Sequence, residues 1–184
     1  MLTLGAFTYR SAGGEAHMDT PIRLLGVDPG LRRTGWGVIE VSGPRLVWVA
    51  HGVVAPEADA PMAERLAQLA AGVRAVILDH KPDEAAVEET FVNMNPKSTL
   101  LLGQARGVAL ATLAAAGLPV AEFSARTVKQ SVVGSGGADK TQVAFMIRRL
   151  LPRAGEVSAD AADALAVAIC GAHHRTPSQM RLKA

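Results

Sequence analysis

The sequence predicts an α/β fold: one five-stranded mixed sheet with helices on both faces. Three observations carry this. Three apolar runs crowd together between Arg23 and Val54, with only short turns between them. They must be antiparallel neighbours, because parallel strands need a crossover of a dozen or more residues. Two further short apolar segments then alternate with helix-period segments, which implies strands joined by helical crossovers. Finally, 184 residues with 49% hydrophobic and 20% charged side chains are enough for one full core and too few for two ordinary domains.

Each element has a local reason. Arg23 to Val27 is an apolar run closed by the turn Asp28-Pro29-Gly30. Thr34 to Val41 and Arg45 to Val54 are the next strands, separated by Ser42-Gly43-Pro44. From Pro61 to Lys81 the period changes. Met62, Leu66, Leu69, Val73 and Val76 fall on one helical face, and Pro82 ends the helix. Glu84 to Glu89 is a fourth strand. Ser98 to Ala116 is a long apolar helix, with Ser98 as its expected N-cap and Gly117 as its stop. Pro119 to Phe123 is the fifth strand. Helices follow at Ala125 to Val133, Thr141 to Leu151 and Ala159 to Ala172, the first two separated by a glycine-rich loop from Gly134 to Gly137.

Residues 21–172 therefore read as a single domain. Met1 to Thr20 lack a sustained period and read as a disordered extension, with Met18 as a candidate natural start. Residues 173–184 read as a mobile polar tail. The lone Cys170 excludes an intrachain disulfide and a cysteine-based zinc site, and it fits a reducing cytoplasm. No apolar run reaches the roughly 18 residues of a membrane span. The first 20 residues lack the pattern of a signal peptide.

The formal net charge of +2 is too small to announce a nucleic-acid binder, and it excludes a histone-like mode. The total hides a division. Residues 1–90 carry 8 basic and 12 acidic side chains, whereas residues 91–153 carry 8 basic and 2 acidic. The basic set is Lys97, Arg106, Arg126, Lys129, Lys140, Arg148, Arg149 and Arg153. Such a bias suits a surface that faces phosphates. On charge alone, solvated helix faces explain it equally well.

Four carboxylates stand in unusual places. Asp28 follows an apolar strand, where its ordinary role is to open the Asp-Pro-Gly turn. Glu88 ends another strand, with Glu89 pointing to the opposite face. Asp160 and Asp163 share one helical face at spacing i, i+3, amid alanine and leucine. Asp160 also suits a helix start. If the two strands are parallel neighbours and the helix packs beside them, all four converge. Hard oxygen ligands then suit two Mg²⁺, with Mn²⁺ as a substitute. Two such ions can clamp both oxygens of a phosphodiester displacement.

The set resembles the RuvC family of bacterial Holliday junction resolvases. The matching stretches are LLGVDPGLRRTGWGVIE, AVEETF, LLLGQARGVALA, ARTVKQSVVGSGGADKTQV and ADAADALAVAI, in that order, from Leu24 to Ile169. The resemblance implies a ribonuclease-H-like fold and a homodimer. It implies nicking of two strands of a four-way DNA junction at symmetric positions, in recombination and repair, with 5′-phosphate and 3′-hydroxyl products. It places the catalytic, metal-holding carboxylates on Asp28, Glu88, Asp160 and Asp163. It places DNA-contacting lysines on Lys129 and Lys140, and an aromatic near the junction centre on Phe91. Arg126 and Arg106, from the basic segment, join the expected DNA surface. Partnership with the branch-migration proteins RuvA and RuvB is implied in the same way.

Two other readings compete. Asp28-x-Gly30 followed by Thr34-Gly35 resembles the phosphate loop of the actin and sugar-kinase ATP-binding fold, but such proteins need two lobes. A non-catalytic branched-DNA scaffold would keep Lys129, Lys140 and Phe91 and lose carboxylates, whereas all four are present. A Walker-type loop is excluded, because Asp139 stands where that motif needs glycine before Lys140.

Overall fold

The structure, a computed structural model, describes residues 20–89 and 95–175. The expected extension up to residue 19, Phe91 and the tail beyond Arg175 lie outside the described residues. The strands are β1 (Ile22–Asp28), β2 (Thr34–Ser42), β3 (Arg45–Val54), β4 (Glu84–Glu88) and β5 (Val120–Phe123). They form one sheet in the order β3-β2-β1-β4-β5. The first three are antiparallel neighbours, and β1, β4 and β5 run parallel. This is the mixed sheet expected from the spacing of the apolar runs.

The helices are α1 (Met62–His80), α2 (Pro96–Ala115), α3 (Ala125–Val133), α4 (Lys140–Leu150) and α5 (Ala159–His173), with a short 3-10 turn at Pro152–Ala154. Alternation along β1 divides the core. Leu25 and Val27 pack with Leu69, Val73 and Leu113 of α1 and α2. Ile22 and Leu24 pack with Val128, Ile147, Leu165 and Ile169 of α3, α4 and α5. None of the helices among the described residues is long and apolar enough to cross a membrane.

Helix starts differ from expectation in two places. Asn95, not Ser98, caps α2: its side-chain oxygen accepts from the N–H groups of Lys97 at 3.0 Å and Ser98 at 3.3 Å. Pro96 then enters at the first turn, where its missing N–H costs nothing. Asp139 caps α4 in a reciprocal box with Gln142, so the helix begins at Lys140.

The expected boundary after Ala172 falls inside a helix. α5 continues through His173, and beyond it Arg175 grips Glu84 of β4 by two bonds, at 3.0 and 2.9 Å.

The closest packing is between α5 and the sheet. A Cβ on Gly26 of β1 would lie 2.1 Å from the Ala164 carbonyl oxygen, and one on Gly35 of β2 would lie 2.0 Å from that of Asp160. Backbone touches backbone, so glycine is required there. The alanine-rich sequence of α5 is the other half of this seam, with Ala161, Ala164 and Ala168 fully buried.

Candidate active site

β1 and β4 are paired in parallel, with Val27 beside Val87, so Asp28 and Glu88 end neighbouring strands. Asp28 shares the face of Leu24 and Gly26, and Glu88 shares that of Ala86, which is the face covered by α5. Gly35 pairs with Asp28 across β1 and β2 and also abuts the Asp160 carbonyl. The first turn of α5 therefore sits over the C-terminal end of β1.

Asp28, Glu88 and Asp163 line one cavity of about 290 Å³. Lys129 of α3 and Lys140 of α4 complete its polar lining, and Val128 and Val143 form an apolar wall. Lys140 Nζ stands 3.4 Å from Asp163 Oδ2. That carboxylate holds the Lys140 ammonium above its usual range. Asp160 stands at the side. It does not line the cavity, and its Oδ2 accepts a 2.6 Å bond from Arg33 Nε.

The electrostatics are unbalanced. Burial, then Glu88, Asp163 and Asp160, push Asp28 from 3.8 up to about 7, with Lys140 opposing. Burial and Asp163 raise Glu88, against Lys129 and Lys140. The folded chain thus keeps a proton on Asp28 between about pH 4 and 7, where the unfolded chain has released it. The stabilising contribution is whole below pH 3.8 and lost as pH rises through about 7. We expect urea melts in EDTA to show stability falling across that window more steeply for wild type than for Asp28→Asn. Parallel slopes would mean that Asp28 is not perturbed.

The donor set fits a hard divalent cation: several carboxylate oxygens and too little positive charge to balance them. The carboxylates stand apart from one another. Among the described residues, no three Asp, Glu, His or Cys side chains are grouped closely enough to share an ion. Like charges repel, and Lys140 and Arg33 draw Asp163 and Asp160 toward themselves.

The other expected residues are divided. Arg126 lines a second cavity of about 520 Å³, which shares Lys129 and Ala125 with the first. Its far wall is the loop Gly134 to Gly137, clasped by Gln130: Nε2 donates to the Gly134 carbonyl at 2.7 Å, and Oε1 accepts from the Gly136 N–H at 3.0 Å. Arg106 lines neither cavity. Its guanidinium bonds to Glu122 and donates to the Glu88 carbonyl, so it braces the end of β4. Sequence reasoning missed Arg33 and Gln130. Arg33 has no local signal, since its partner lies 127 positions away. Gln130 has one, because it sits one helical turn before Gly134.

Three acids and two lysines around one cavity, on a mixed sheet in the order β3-β2-β1-β4-β5, are the site and fold of a nuclease of the ribonuclease-H-like class. More narrowly, the chain belongs to the crossover junction endodeoxyribonuclease RuvC family, whose model matches residues 24–171. It is 63% identical to the RuvC of Hyphomonas neptunium over 89% of this chain and 98% of that relative. With the RuvC of Azorhizobium caulinodans it shares 61% identity over 87% of this chain and 95% of that one. Among solved structures it resembles Thermus thermophilus RuvC in complex with Holliday junction substrate, with a TM-score of 0.78 and 32% identity. That likeness covers 86% of this chain and 96% of the other.

Proposed function

We propose that this chain is a structure-specific DNA endonuclease that resolves Holliday junctions by nicking two strands symmetrically, as a cytoplasmic homodimer in recombination and repair. One observation carries the chemistry: Asp28, Glu88 and Asp163 share a cavity with Lys129 and Lys140. Asp28, Glu88, Asp160 and Asp163 would hold two Mg²⁺, or Mn²⁺ in their place, with Asp28 central. Ions so held would lower the pKa of the attacking water and offset charge on the leaving oxygen.

The chain's own residues orient the substrate. Lys129 and Lys140 receive the phosphates that flank the scissile bond. Arg126 and the glycine loop offer the next phosphate a seat one cavity along. Val128 and Val143 face the sugar and limit water. Water attacks phosphorus and the bond to O3′ breaks, leaving a 3′-hydroxyl and a 5′-phosphate. Phe91, three residues past Glu88, stacks on an unpaired base at the crossover.

Symmetric nicking needs two copies. α2 offers a face for the second. Leu100 is exposed there, and among the described residues a Cβ on Gly103 or Gly107 would meet no atom within 4 Å beyond its own helix backbone. RuvA and RuvB would deliver the junction.

The test is cleavage of a four-way junction and of an RNA–DNA hybrid across a panel of divalent metals, mapped at nucleotide resolution. Paired, symmetric nicks confined to the junction are expected. Preferential cutting of the hybrid would overturn the reading. A narrower expectation concerns Lys140, whose side chain is 81% exposed. Lys140→Ala should weaken junction binding and lower the salt slope of log K by roughly one unit. An unchanged slope would place Lys140 away from phosphate.

A further inference from the structure

Arg33 sits in the turn between β1 and β2, and that turn is a rigid mount. Thr34, fully buried, donates through Oγ1 to the Gly30 carbonyl at 2.8 Å and accepts from the Gly30 N–H at 3.1 Å. Leu31 is buried, and its carbonyl accepts from Arg65 of α1 at 3.1 Å. A Cβ on Gly30 would lie 2.3 Å from the Arg33 carbonyl oxygen, so the turn has no slack. What can move is the Arg33 side chain, which is 53% exposed. It extends to Asp160, the one proposed ligand that does not line the cavity.

We propose that Arg33 is a positioning residue that exchanges partners. It neutralises Asp160 and fixes its orientation beside the cavity. When Asp160 turns to a divalent cation, the guanidinium is released beside the cavity, on the DNA path the proposed function requires, and takes a phosphate oxygen there. The ion and the guanidinium compete for one carboxylate. The released guanidinium then couples ion binding to DNA binding, and such coupling is reciprocal. This inference rests on the assignment of Asp160 and its three partners as metal ligands.

The test has two readouts, neither of them cleavage. In the first, Mn²⁺ is titrated against wild type, Arg33→Ala, Arg33→Lys and Asp163→Asn without DNA, followed by electron paramagnetic resonance. Arg33→Ala should bind Mn²⁺ about threefold more tightly, because a half-exposed ion pair has been removed from competition. Arg33→Lys should stay near wild type. A merely structural arginine would leave ion affinity unchanged or weaken it, and that result overturns the inference. In the second, junction affinity is measured in Ca²⁺ and in EDTA. Arg33→Ala should lose about fivefold in Ca²⁺ and less than twofold in EDTA, and equal losses would overturn the exchange. Asp163→Asn separates the layers. If it weakens Mn²⁺ binding while Arg33→Ala behaves as wild type, only this inference falls. If Asp163→Asn leaves Mn²⁺ affinity unchanged, the carboxylate assignment falls and this inference with it.

Discussion

Asp163→Asn should bind four-way junctions as well as wild type and cut them on the order of a thousandfold more slowly in Mg²⁺, the loss expected when several kcal/mol of transition-state stabilisation is removed. Asparagine keeps the shape and loses the charge. It is therefore a poor partner for a divalent cation and a mild substitution for the fold. Asp163 lines the same cavity as Asp28 and Glu88 and raises the proton affinity of both. Its neutralisation relieves repulsion among them and toward an incoming phosphate, so binding has no electrostatic reason to fail. Lys140 also loses its carboxylate partner and is freed for DNA. Gel-shift and single-turnover cleavage assays on one junction separate the two effects. Wild-type cutting by this variant would remove Asp163 from the reaction and undo the four-carboxylate assignment.

The largest effect on stability should come from one methyl group. Gly26→Ala would set a Cβ 2.1 Å from the Ala164 carbonyl oxygen and 2.4 Å from the Ala168 nitrogen. Both are backbone atoms within a helix, so neither can rotate away. α5 would have to lift from the sheet and weaken the packing of Leu165 and Ile169 against β1. A cost of about 3 kcal/mol is expected, which in a domain of this size lowers Tm by roughly 10 °C. Gly137→Ala is the control, because the nearest atom to its added Cβ is 4.0 Å away. Thermal melts of the two variants should differ by nearly the whole of that shift. Equal melting would mean that the seam between α5 and the sheet is looser than these distances require.

Much of this arrangement was legible in the sequence because it is local. Apolar runs too close for crossovers foretold the antiparallel half of the sheet. Asp28 and Glu88, taken singly, read as a turn opener and a strand end, and only together with the i, i+3 pair Asp160 and Asp163 do they suggest one site. Contacts between distant residues were not legible. Nothing near Arg33 announces Asp160, so the sequence does not single it out, and nothing near Arg106 announces Glu122, so that arginine reads as part of a DNA surface. The helix starts were missed for a different reason. Ser98 is the expected cap of α2 and Thr141 the expected start of α4, while the actual caps, Asn95 and Asp139, stand three and two residues earlier. The Asp139-x-x-Gln142 box was readable and would have placed Lys140 in the first turn of α4.

The grip of Arg175 on Glu84 has a mechanical consequence. Glu84 begins β4 and Glu88 ends it, and α5 touches both ends of that strand, through Arg175 at one and through the cavity shared with Asp163 at the other. α5 is thus a beam packed along the sheet and tied, just past its C-terminal end, to the start of the same short strand. A beam tied at one end and packed along its length does not slide along its axis. The register between the carboxylates on the helix and those on the strands is then tied at the opposite end of β4, four residues from Glu88.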